Sequence, residues 1–139
     1  MKLMKLLIFI TFLFFCLNSF SQAEDYQKIV QVMEKACKKE KISVAEMNSF
    51  LCAYENKYMY NIELGEYRNE TLFQIIASDN VSLFLSLLEK ENEYKILRVF
   101  SDLQNPIHDT IDSEVCLRNL HSIKKQNKLI KCIISILER

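Results

Sequence analysis

A chain of 139 residues with a single glycine, Gly65, and a single proline, Pro106, has almost nothing with which to make tight turns. Hairpin turns require residues that tolerate positive φ, so a sheet built from hairpins is excluded and an all-α fold is expected. The same scarcity excludes glycine-rich phosphate loops, because backbone amides approach a phosphate closely only where side chains are absent. Net charge is lacking as well. The 18 basic and 18 acidic residues cancel, which leaves no basic field to hold nucleic acid. No nucleophile motif is present, and the carboxylates are scattered without a spacing that singles out a pair. The sequence therefore assigns no catalytic, cofactor-binding or metal-ligating residue, and the protein is read as something other than an enzyme.

What the sequence does have begins at its start. Lys2 and Lys5 form a short positive head, Leu6 to Leu17 is apolar apart from Thr11, and Asn18 to Ala23 is mostly small and polar. That order is the pattern of a secretory signal peptide. The apolar run is shorter than the roughly 20 residues that a membrane-crossing helix needs, so cleavage is favoured over anchoring. Ser19 with Ser21, or Ser21 with Ala23, supplies the small residues required before the cut. Phe14 and Phe15 are too bulky for the approach to a lipidated Cys16. The reading is a leader over residues 1–23, one helical domain over 24–139 carrying a net charge of −2, a secreted or periplasmic location, and no stable membrane insertion after cleavage.

Export bears on the cysteines. Cys37, Cys52, Cys116 and Cys132 are an even number in a small domain, which predicts two disulfides in an oxidising compartment. In a hairpin turning near Lys125 and Gln126, Cys116 and Cys132 are offset by about 4–5 Å along the helix axes, within bridging range. Cys37 and Cys52 would be the complementary pair, across a wider loop. Were the thiols reduced, Cys116 in the first turn of a helix would attract interest, with His108 or His121 as a base, but no spacing brings them together. Asp109 and Asp112, which with the histidines would make a metal set, are accounted for by helix starts.

The periodicity predicts a small irregular bundle of about five to six helices, stapled by disulfides. Tyr26, Ile29, Val30, Met33, Ala36 and Cys37 mark one helical face over residues 25–40. Ser43 and Glu46 form a capping box for a second helix running to about Tyr60, with Gly65 as the break beyond it. Thr71 and Gln74 suggest another start, and the apolar run from Leu72 to Leu88, interrupted at Asp79-Asn80, predicts the most buried segment as one long helix or a tight hairpin. Glu93 to Gln104 is amphipathic and stops before Pro106, which Asn105 would cap into a new short helix. Asp112 or Ser113 caps Glu114 to Ile123, and Lys128 to Leu137 closes the chain.

Glu70 to Glu89, with its short helix, Asp79-Asn80 turn and Leu87-Leu88-Glu89 ending, resembles one ankyrin repeat. Asn105-Pro106-Ile107-His108 is similar to that family's threonine-proline-leucine-histidine start, and it follows Glu70 at a spacing near the period of about 33 residues. The resemblance implies paired helices. The family's turn glycines are absent, and the residues after His108 depart from its pattern.

Tyr54, Tyr58, Tyr60 and Tyr67 lie close together in the chain, and tyrosine combines large contact area with a polar tip, so they are the candidate partner-binding residues. The expected function is an exported module that binds a protein partner, of the inhibitor or immunity type. The alternative is a small-molecule or lipid carrier with an apolar cavity lined by Leu72 to Leu88. Asn69-Glu70-Thr71 and Asn80-Val81-Ser82 match the glycosylation acceptor pattern.

Overall fold

In the computed structural model, which describes residues 24–108 and 111–139, seven α-helices succeed one another and no strand is found among the described residues. The leader predicted over Met1–Ala23 and the aspartate at position 109 lie outside the described residues. Helix α1 takes in residues 24–37. It ends in a Schellman-type turn, in which the Glu40 amide donates to the Lys35 carbonyl at 2.9 Å and the Lys39 amide to Ala36 at 2.9 Å. Lys39 adopts φ 57°, the left-handed conformation that glycine usually fills at this place.

Helix α2, Val44–Cys52, starts at the expected capping box: the Glu46 amide donates to Ser43 Oγ, and the Ser43 amide donates to Glu46 Oε2. It stops at Cys52 rather than near Tyr60, and a 3-10 turn follows over Asn56–Tyr58. The early stop has a specific cause. Arg68 donates to the Ala53 carbonyl and Arg98 to the Tyr54 carbonyl, so these acceptors are satisfied from elsewhere in the fold.

Helix α3, Ile62–Ile76, runs through both Gly65 and Thr71, where a break and a start were expected. Its N-cap is Asn61, whose Oδ1 accepts the Leu64 amide at 3.0 Å. The run to Leu88 is a broken pair, not one helix: Ala77 to Asn80 interrupts it, and α4, Val81–Leu88, turns away with a bend of 115°. That break yields the seventh helix, against the five to six expected. The stretch resembling an ankyrin repeat therefore spans the second half of α3 and a sharply inclined α4, and Pro106 starts no helix.

Helices α5, Glu93–Gln104, α6, Ser113–Ser122, and α7, Lys128–Leu137, are capped by Asn92, Asp112 and Asn127. Each cap's side-chain oxygen accepts amides of the first turn, which would otherwise lack partners. Helix α3 is the hub. It packs against α4, α5 and α6, while α7 covers α5 and α6, and α2 lies on α4. The core joins Phe50, Leu51 and Tyr54 to Leu64, Leu72, Ile75, Ile76, Phe84, Leu88, Val99, Leu120 and Ile133. No single helix among the described residues is long and apolar enough to cross a membrane.

Two buried polar clusters fix the helices to one another. Arg68 on α3 grips Asp102 on α5 with two bonds, Nε to Oδ2 at 2.8 Å and Nη2 to Oδ1 at 3.1 Å, and stacks over the Tyr54 ring. Beside it, buried Asn69 donates to the carbonyls of Asp102 and Asn105 and accepts the Ile107 amide, which holds the end of α5 and the proline segment. Buried Asn80 does the same for the α1–α2 connection, accepting the Ile42 amide and donating to the Glu40 carbonyl, each at 3.0 Å.

Candidate functional site

The apolar arc of α1 is wider than its core contact needs. At about 100° per residue its apolar side chains cover roughly 160°, and a stripe of about 100° suffices to face a core. Ile29, Val32, Met33 and Ala36 go inward and are buried. Tyr26, Val30 and Cys37 are left at the edge, spaced one turn apart along with Met33, and form one side of a groove of about 560 Å³. The other side comes from α3, where Glu63, Tyr67 and Thr71 follow at intervals of four residues. Tyr67 is 53% exposed. Its ring therefore has an apolar face to offer.

Charge is distributed unevenly around this groove. Glu34 and Glu63 line it together with Lys38, and Glu70 lies near enough to act on Cys37. Neither Glu34 nor Glu63 has an ion-pair partner among the described residues. The Cys37 sulfur is held above the ordinary thiol pKa by partial desolvation and then by the carboxylates of Glu70 and Glu34. It is a thiol at neutral pH, and so a weak nucleophile.

Of the four tyrosines expected to form a binding patch, Tyr67 alone lines this groove. Tyr60 is 96% exposed, in the turn ahead of α3. Tyr54 and Tyr58 are buried, so neither offers surface to a partner. The Tyr54 hydroxyl lies beside Asp102 and Arg68 without hydrogen-bonding to either, and the Tyr58 hydroxyl is likewise unpaired. Burial, followed by the charge of Asp102, drives the Tyr54 phenol well above its ordinary pKa.

The expected disulfides are absent: Cys37, Cys52, Cys116 and Cys132 are all free. Axial offset, the basis for pairing Cys116 with Cys132, takes no account of rotation about each helix. Cys116 faces α3, where its Sγ donates to the Phe73 carbonyl at 3.6 Å, and so does Asn119 one turn on, bonded to Ile76 O. The α6–α7 corner is held instead by Gln126, which donates to the carbonyls of Leu120 and Ile123. Burial, assisted by Asp112, pushes the Cys116 thiol up to about 11, which outweighs any help from the helix start. Cys37 sits in the groove, whereas Cys52 lies among Glu55, Lys95 and Lys57, so the second expected pair is also apart.

The remaining sequence signals are absorbed by the fold. His108 faces Glu70 at 3.8 Å and His121 faces Glu138 at 3.7 Å, while the Cys116 sulfur is turned to the Phe73 carbonyl. Among the described residues no group of histidine, cysteine and acidic side chains could hold a metal ion. Both acceptor asparagines, Asn69 and Asn80, are buried with their amides fully engaged. A second hollow, of about 650 Å³, opens beside α5, where Arg98 lies over the exposed Tyr94 ring and Lys95 is held by Glu55 and Glu91. Lys95 and Glu55 there are paired with each other and Arg98 is bonded to the Tyr54 carbonyl and Asn56 Oδ1, which leaves Glu93 as the lining charge without an ion-pair partner among the described residues. The chain matches no protein-family model, no curated protein and no solved structure.

Proposed function

We propose that the protein is an exported protein-binding module, of the inhibitor or immunity type, and that the groove between α1 and α3 is its docking surface. The observation that carries this is a half-exposed apolar groove on a domain whose core is already filled. Apolar surface left open at a helix–helix seam, with a polar rim, is the usual mark of an interaction site. The carrier alternative has less support, because Leu72, Ile75, Ile76, Phe84, Leu85 and Leu88 are spent on packing the core. Export rests on the order of residues within Met1–Ala23. The free thiols give it no added support.

The exposed Cys37 provides a test, since Cys116 is buried and Cys52 and Cys132 are half-buried. A benzophenone placed on Cys37 and irradiated in an extract of the source cells should yield a discrete cross-linked product. Val30→Asp or Tyr67→Asp should abolish it while leaving the helical circular dichroism intact. A product unaffected by both substitutions would remove the groove from consideration. N-terminal sequencing of the natively produced protein tests export, with Gln22 or Glu24 expected as the first residue and Met1 contradicting it.

A further inference from the structure

We infer that the occupant of this groove is a cationic amphipathic helix of a partner protein, about three turns long; the inference rests on the docking role proposed above. Both walls are α-helices, so their backbone amides and carbonyls are bonded internally, and no strand edge exists among the described residues to be extended. A partner segment lying here receives side-chain contacts only and must satisfy its own backbone, which a helix does and an extended peptide does not. The floor suits such a segment. Tyr26, Val30, Met33 and Cys37 on one wall, and Glu63, Tyr67 and Thr71 on the other, recur at turn spacing, the pattern into which ridges of a third helix fit. The wall on α1 from Tyr26 to Cys37 rises about 17 Å, which sets the length.

The rim defines the charge. Glu34 on α1 and Glu63 on α3 line the groove, and Glu70, two turns further along α3, lies near enough to act on Cys37. Lys38 is the lysine that lines the groove, and the His108 imidazole lies 3.8 Å from Glu70. Carboxylates flanking an apolar floor select lysine or arginine on the two flanks of the incoming helix and repel an acidic one. An anionic lipid surface is disfavoured on the same ground.

Two synthetic fluorescent helical peptides serve as probes, sharing one leucine stripe at i, i+3, i+4 and i+7 and flanked by lysine in one and glutamate in the other. Fluorescence anisotropy with the purified protein should show the lysine peptide binding at least about tenfold more tightly at low salt, with the preference shrinking as added salt shortens the Debye length to about 3 Å. Val30→Asp and Tyr67→Asp should each weaken it by about tenfold, and Glu34→Lys with Glu63→Lys should reverse the preference. Equal binding of both peptides, lost in Val30→Asp and Tyr67→Asp, would overturn the cationic assignment while leaving the docking surface in place. Lysine-peptide binding that ignores Val30→Asp and Tyr67→Asp would overturn the docking surface itself. A dimer in solution that dissociates on Tyr67→Asp, or displacement of the lysine peptide by phosphatidylglycerol vesicles, would reassign the groove to a second copy or to a membrane.

Discussion

Replacing Asp102 by alanine should be the most damaging polar substitution in the α3–α5 seam, and the structure indicates how damaging. The Arg68 side chain is 8% exposed and that of Asp102 15%, so the pair exchanges little with solvent. Removing the carboxylate strands a guanidinium that has lost two charge-assisted bonds, and breaking a buried pair this way costs about 3–5 kcal/mol. Arg68 keeps its bond to the Ala53 carbonyl at 3.3 Å and its contact with the Tyr54 ring at 4.6 Å, which puts the expected loss at the lower end, about 3 kcal/mol. Against the roughly 6–17 kcal/mol total for a domain of this length, the variant stays folded but melts about 10–15 °C lower. Urea unfolding followed by circular dichroism at neutral pH should show the midpoint falling by about 2 M with an unchanged slope. Replacing both partners, Arg68→Met with Asp102→Leu, removes the stranded charge and should return to within about 1 kcal/mol of the parent. A loss below about 1 kcal/mol for Asp102→Ala would refute the reasoning, as would a double variant no better than the single one.

Gly65→Ala should stabilise the protein by about 0.5–1 kcal/mol in the same urea assay, since Gly65 lies within α3 at negative φ and an added Cβ meets nothing within 4 Å; a destabilised variant would count against this backbone. Toward a disulfide reagent at neutral pH, Cys37 should react first, though more slowly than a free thiol, and Cys116 only on unfolding, with mass mapping of the adducts as the check. The hydrogen bond from Lys35, and then the bonds from Ser43, lower the Glu46 carboxyl to about 2. A depressed folded pKa means that its stabilising contribution is complete above the ordinary carboxyl value of about 4.3 and is lost as pH falls through the folded value. The melting-temperature gap between the parent and Glu46→Gln should therefore hold steady above about pH 5 and close toward pH 2; a gap unchanged across that range would contradict the assignment.

Where local chemistry decided the outcome, the chain could be read directly. The capping box at Ser43, the stop ahead of Pro106 and the amphipathic runs Glu93–Gln104 and Lys128–Leu137 all act within a few residues, and the fold follows them. Where distant residues decided it, the reading fell short. Nothing near Tyr54 reveals that Arg68 and Arg98 take up the carbonyls that end α2 early. Gly65 looked like a break because glycine is a poor helix former, yet the apolar face of α3 on both sides of it outweighs so small a local cost. The cysteines misled because an even count in a small chain says nothing about the rotation of each helix. At the groove, Tyr67 was among the expected residues, but its partners on α1 were read only as one helical face. The excess width of that apolar arc was the available signal, and it gains meaning only once α3 is known to lie alongside.

The central place of α3 has a consequence for how the protein is made. Three of the helices that pack against it, α4, α5 and α6, follow it in the sequence. During synthesis the side chains of Leu72, Ile75 and Ile76 emerge well before Leu120, so sticky surface stays uncovered until most of the polypeptide has left the ribosome. Vectorial delivery would favour a holding chaperone, and truncations ending before α6 should accumulate as aggregates instead of soluble intermediates.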